Sequence, residues 1–260
     1  MRLFQEIALI VTQFHNNLVT EQDLVSHFRR LGPNECNKWT ILNAARRTEF
    51  LFTWREKNAD TVPEPLIQED DLDTCWAIAL FRGQSALVTL KESDRARLTL
   101  EMLLDGVDSQ YQSESHGVDC LEDLIPFMEE NFVRRMIVHH RPRGFDQVEQ
   151  DEFERLIENL LVKGPVVVAF DVFPSYEEKF VAASGQGIFS PTDDECQMRL
   201  YERFIRHCVV LYGKGVEVDG SRIKEFWEAL ESRGDTFGDE GFVRLARGKC
   251  LLREVVELKV

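Results

Sequence analysis

The chain has no CxxC pair, no glycine-rich phosphate loop, no repeat, no low-complexity tract and no run apolar enough to cross a bilayer. Each absence removes a class of function: a thiolate-held zinc site, nucleotide binding at a helix N-terminus, a solenoid, a membrane span. Gly213-Lys-Gly215 is too short to cradle phosphate and reads as a hairpin turn. Positive charge is also scarce, with 31 Lys and Arg against 46 Asp and Glu and a formal charge of −15. Most of such a surface repels phosphate backbones and anionic lipid, so neither nucleic acid nor membrane is an expected partner. Six cysteines (36, 75, 120, 196, 208 and 250) are scattered without a framework. Ile7 to Val11, preceded by Glu6, is shorter than the apolar core of a secretory signal. The expectation is an intracellular protein, cytoplasmic or nuclear, with reduced thiols.

What is present is a globular chain of 260 residues, 43% apolar, long enough for one large or two medium domains. Leu3, Phe4, Ile7, Ile10, Val11 and Phe14, then Leu24, Val25, Phe28 and Leu31, recur at helical spacing, so residues 2 to 31 read as two amphipathic helices. Asn58 to Pro65 reads as a loop or extended segment leading into the acidic run Glu69-Asp70-Asp71-Leu72-Asp73. Asp73 or Thr74 is placed to cap a helix from Cys75 to about Leu87, and further helices are expected over Leu121 to Phe132 and Asp151 to Leu161. Val133 to Gly144 is the one basic island and reads as a strand followed by a solvated loop. Gly164 to Asp171 is a buried strand, and shorter strands are expected over Cys208 to Tyr212, Gly241 to Ala246 and Glu254 to Val260. Helices early and strands late indicate an α+β protein in two lobes.

Cys75-Trp76, His207 and the glycine-rich block Glu231 to Arg247 supply the chemistry. A thiolate is a nucleophile, and an imidazole can take its proton. Around them, in order, Phe52-Thr-Trp-Arg55, Asp73-Thr-Cys-Trp-Ala-Ile-Ala79, Gly164-Pro-Val-Val-Val-Ala-Phe-Asp171, His207-Cys-Val-Val-Leu-Tyr-Gly213 and Phe226 to Gly248 resemble the papain family of cysteine peptidases. The second segment matches that family's G-S-C-W-A-F, and the last matches Y-W-x-x-K-N-S-W-G-x-x-W-G-x-x-G-Y-x-R-x-x-R-G without a gap. The resemblance implies a helical left lobe over 50–145, a β-barrel right lobe over 146–260 and a cleft between them. Residues 1–49 form a helical extension where the family carries an inhibitory segment, without its motif.

It also implies roles: Cys75 as nucleophile, His207 as base and then acid, and a third residue to orient the His. That third residue is Glu231 in place of the usual Asn. The oxyanion Gln lies six residues before the Cys in the family; here Glu69 holds that position, and one inserted residue makes Gln68 the donor. Arg233 stands where a Trp shields the His and is placed to pair with Glu231. Gly117 alone remains of the G-C-x-G-G segment that binds substrate as an added strand, Arg206 replaces Asn or Asp before the His, and Cys208 replaces the small residue after it. Leu72 removes the left-lobe disulfide, while Cys196 and Cys250 lie near another bridge that a reducing compartment would leave open. The expected activity is peptide hydrolysis without metal or cofactor, on a peptide or protein substrate. The alternative is an impaired pseudopeptidase that binds a protein partner.

Overall fold

The computed structural model describes residues 47–69, 72–144, 146–219 and 222–260. The two helices expected over 2–31 and most of the expected extension 1–49 lie outside the described residues, as do Asp70 and Asp71. Two units divide the chain: Thr48–Glu217 with Lys224–Val260, which carries the core and the candidate site, and Met1–Arg47 with Val218–Ile223.

Eight strands form one sheet. They are β1 (Arg47–Thr53), β2 (Arg135–His140), β3 (Val166–Asp171), β4 (Ile188–Phe189), β5 (Arg206–Asp219), β6 (Arg222–Leu230), β7 (Phe242–Ala246) and β8 (Leu252–Lys259). Their order is β2-β8-β3-β5-β6-β7-β4, with β1 paired to β5. β3 lies inside the sheet between β8 and β5 and is buried at every position, as a continuous apolar run demands of a strand covered on both faces. It pairs antiparallel with β5 in a register that sets Phe170 opposite His207 and Ala169 opposite Cys208.

The principal helix, α2 (Cys75–Leu90), follows a short α1 (Trp54–Lys57). Twelve of its sixteen residues are buried, so it is a core helix and not a surface one. Gly83 lets it lie directly on the sheet, because a Cβ there would meet Val167 Cγ2 at 2.4 Å. Gln84, fully buried, is spent on scaffolding: its amide donates to the carbonyls of Ala96 and Phe132 and accepts from the Leu98 N–H. α3 (Leu100–Gly106) packs on α2, α4 (Ile125–Asn131) packs on β2, and α5 (Gln147–Leu161) precedes β3, capped by Asp146. The helix expected over Leu121 to Phe132 begins as a 3-10 turn over Leu121–Leu124 and becomes α-helical at Ile125, with Pro126 in its first turn.

Two expectations are corrected. Gly213-Lys-Gly215 is not a hairpin turn but the middle of β5. The glycines are needed for close approach of β1: a Cβ on Gly213 would lie 2.6 Å from the Phe52 carbonyl, and one on Gly215 2.5 Å from that of Glu49. Cys196 and Cys250, expected to stay reduced, are joined in a disulfide that ties α6 (Asp193–Met198) to the turn before β8. Among the described residues, Cys75, Cys120 and Cys208 are free thiols.

Candidate active site

Cys75 is the first residue of α2. The leading N–H groups of a helix have no acceptor within it, and their partial positive charge favours an anion at that end. Thr74 makes no side-chain capping bond, and no acidic side chain lies in the first turn, so nothing in the helix itself competes for that charge. Of the acidic run, Glu69 and Asp73 are exposed, and the Asp73 carboxylate accepts from Ser115 Oγ at 2.5 Å. Trp76 is fixed by its indole N–H donating to the His116 carbonyl at 2.7 Å.

His207 comes from β5 and lies near enough to Cys75 for the charge of each to act on the other. Its Nε2 donates to Glu231 Oε1 at 2.5 Å, which leaves the other ring nitrogen for the sulfur. The ring packs edge-on against Phe170, with centroids 5.5 Å apart, and lies 6.4 Å from that of Tyr176. These two aromatics screen the imidazole where Arg233 offers no indole.

Glu231, immediately after β6, has no exposed surface. A carboxylate survives such burial only when its lone pairs are used, and here they are. Oε1 accepts from His207 and from Tyr176 Oη at 2.8 Å; Oε2 accepts from the Ser232 N–H and from Ser232 Oγ. Its backbone is held as firmly, with N–H to the Gly241 carbonyl at 2.9 Å and carbonyl to Arg82 Nη1 at 2.8 Å. Gly241 sits at φ +85°, a conformation that accounts for glycine at this point in the block. The expected pairing of Arg233 with Glu231 is present but long: Arg233 Nη2 bonds Glu177 at 3.0 Å, while its Nε lies 3.9 Å from Glu231 Oε1, so its charge supports the carboxylate without taking up the hydrogen bond to His207.

The charge states follow from these contacts. The Cys75 thiol is pushed well below its ordinary range, first by a hydrogen bond from the Cys208 side chain and, against burial, by the His207 charge. Burial opposes the charge on His207, but Glu231 and the Cys75 sulfur outweigh it and lift its pKa to about 10. Burial also opposes the Glu231 carboxylate, yet His207 and Tyr176 hold its pKa at about 2. These shifts favour the charged form of all three groups: carboxylate, imidazolium and thiolate.

Gln68 is brought to the same place. Its backbone N–H donates to the Ser232 carbonyl at 2.8 Å, and its Oε1 accepts from Ser232 Oγ at 3.3 Å. One amide N–H goes to the Leu72 carbonyl at 2.5 Å, leaving a second donor on the same nitrogen. Tyr176, Ser232 and Arg82 belong to the site and are missing from the sequence reading. Tyr176 lies in a π-helical turn, Tyr176–Val181, a geometry frequent at functional sites, and no local pattern announces it.

The rim is built differently. Ser113 and Ser115 clasp Asp73 and Gly117, with the Asp73 N–H on the Ser115 carbonyl and the Gly117 N–H on Ser113 Oγ. Arg206 reaches from β5 to the Asp119 carbonyl, within the segment expected to offer its backbone to substrate, and pairs with the buried Glu254. Among the described residues no group of three or more His, Cys, Asp or Glu is arranged to hold a metal ion, and no helix is long and apolar enough to cross a membrane.

Known proteins share this plan. The model of the papain family of cysteine proteases matches residues 51–259. Cathepsin L1 of Drosophila melanogaster is 24% identical over 214 residues, covering 75% of this chain and 53% of that protein. Human cathepsin L2 is 24% identical over 218 residues, covering 75% of this chain and 60% of that protein. The chain thus spans little more than half the length of these curated relatives. Among solved structures, a recombinant stem bromelain precursor has a TM-score of 0.57 at 16% identity, over 80% of this chain and 70% of that one. The expected papain-like α+β fold is borne out.

Proposed function

This chain belongs to the papain family of cysteine proteases, and from that premise we propose that it hydrolyses peptide bonds through an acyl-enzyme on Cys75. The observation that carries the reading is the 2.5 Å bond from His207 to a fully buried, fully bonded Glu231. Such a carboxylate holds the imidazole in one tautomer and stabilises its cation, which in turn keeps the sulfur ionised. The Cys75 thiolate attacks the scissile carbonyl carbon, and the oxyanion accepts from the free Gln68 N–H and the first N–H groups of α2. His207 gives its proton to the leaving amine, and the acyl group stays on sulfur. Water then attacks the thioester, its proton passing to His207, and the released thiolate restores the ion pair. Removing one oxyanion donor costs about 3 kcal/mol in comparable sites, so Gln68→Ala is expected to slow turnover about a hundredfold.

A second reading, a catalytically impaired protein-binding module, is favoured by one feature: Arg206 occupies the Asp119 carbonyl at the groove. A peptidyl epoxide or vinyl-sulfone probe separates the two. Labelling of wild type, lost in Cys75→Ala and greatly slowed in His207→Ala, supports hydrolysis. No Cys75-dependent labelling in protein that melts cooperatively rejects it and leaves the binding module.

A further inference from the structure

The torsion that turns a glutamate's carboxylate plane has no sharply preferred angle, so burial alone does not aim Glu231 at His207. The Ser232 N–H and hydroxyl pin Oε2, but a plane held at one oxygen still pivots about it. Oε1 receives the His207 Nε2 proton at 2.5 Å, and the Tyr176 hydroxyl donates to that same oxygen at 2.8 Å. Arg233 Nε, 3.9 Å from Oε1 and on a side chain held by Glu177, is beyond hydrogen-bond reach. Tyr176 has no exposed surface, and its ring is closed in by Phe170, Phe180 and Phe189, with centroids 5.1, 5.6 and 5.0 Å away. Its backbone is fixed as well. The N–H donates to the Phe173 carbonyl at 2.9 Å, and the preceding Ser175 gives its N–H and Oγ to the two oxygens of Glu195, each at 2.8 Å. Glu195 is itself bound into the capping box of α6. Burial and the Glu231 charge push the Tyr176 pKa well above its ordinary range, so the hydroxyl keeps its proton and stays a donor.

We infer that Tyr176 is a positioning residue: its hydroxyl stops the Glu231 carboxylate from turning and so holds the ring of His207 in one direction. The consequence for turnover rests on the peptidase reading, but the bond itself belongs to the resting protein. Without the hydroxyl, Oε1 keeps its charge and pivots on Oε2. His207 then loses its direction and not its ionic partner.

Tyr176→Phe removes one oxygen and keeps every ring carbon, and it is measured in full-length protein that melts cooperatively. In proton NMR, the His207 Nε2 proton is expected downfield of the other N–H resonances and absent in His207→Ala. Its exchange with water is expected to be at least tenfold faster in Tyr176→Phe. For a peptide substrate, kcat/KM is expected to fall about tenfold, as loss of one hydrogen bond to a charged group implies. Both limbs of the pH profile stay in place, because the charge of Glu231 remains. In the Glu231→Ala background, Tyr176→Phe is expected to lower kcat/KM less than twofold further, since the bond it removes is already gone. A ring that only fills space would leave the exchange rate unchanged and its effects would multiply. If wild type neither cleaves peptides nor takes a thiol-protease probe, the peptidase reading falls while the exchange rate still decides the role of Tyr176. An exchange rate in Tyr176→Phe within twofold of wild type, or losses that multiply in the double variant, overturns the inference.

Discussion

The two sides of the cleft are made of similar materials and put them to opposite uses. Behind the sulfur, both oxygens of a buried carboxylate are spent on the site: Glu231 holds His207, Tyr176 and Ser232, and its own backbone is held by Arg82 and Gly241. At the rim, side chains hold the groove itself, Ser115 on Asp73 and Arg206 on Asp119. Glu254 makes the contrast sharper, since it is nearly as buried as Glu231 yet one of its carboxylate oxygens has no hydrogen-bond partner among the described residues. The side around Cys75 and His207 is thus wired for one geometry, whereas the rim is closed by bonds among its own groups.

The largest expected effect comes from breaking the wired side. Glu231→Ala strands the Tyr176 hydroxyl and the Ser232 N–H and frees the imidazole to turn. kcat/KM is expected to fall about 10³- to 10⁴-fold, as when a triad loses its orienting residue. The disulfide comes next and tests whether that geometry depends on the covalent frame. Cys196 and Cys250 close a loop of 54 residues, for which chain entropy gives about 4 kcal/mol. The double alanine variant, or the reduced protein, is expected to melt well below wild type while its Cys75 alkylation rate at 25 °C changes less than twofold.

Smaller and more diagnostic is Glu231→Gln, which keeps an acceptor of the same reach and removes the charge. His207 is lifted to about 10 by Glu231 and the sulfur, so the imidazolium is present below that pH and is lost as pH rises through it. Without the carboxylate its pKa falls toward the ordinary value of about 6.5. The alkaline limb of kcat/KM therefore moves down, and the acid limb moves up as the thiolate loses its cation. A narrowed bell with a peak within about tenfold of wild type is expected in the pH profile. An unchanged profile would mean that the charge of Glu231 does not reach the sulfur.

The wired side was also the more legible one. Cys75, His207 and the order of segments carried the fold because each rests on a local requirement: a helix start, a buried strand, glycines at φ above zero. Glu231 was legible as a position but not as an environment, since its burial depends on Tyr176 and Arg82, which lie 55 and 149 residues away. Gln68 and Glu69 are not separated by counting residues; in the fold Gln68 bonds Ser232 beside Glu231 while Glu69 is exposed, which supports proposing Gln68 as the donor. The glycines of β5 were misread because close approach by another strand and a tight turn use the same residue for different reasons.

Arg206 gives the smallest expected effect and the test most specific to the rim. Its guanidinium is about one third exposed, so its pair with Glu254 is weakened by solvent and contributes little to stability. Its bond to the Asp119 carbonyl, however, takes an acceptor that an added peptide strand would need. Displacing it raises the cost of binding without touching the sulfur or the imidazole. Arg206→Ala is therefore expected to lower KM for peptide substrates about three- to tenfold with kcat unchanged, the signature of altered uniform binding. A fall in kcat instead would show that Arg206 supports the His207 end of β5, and the division between a catalytic side and a receiving side would fail at this residue.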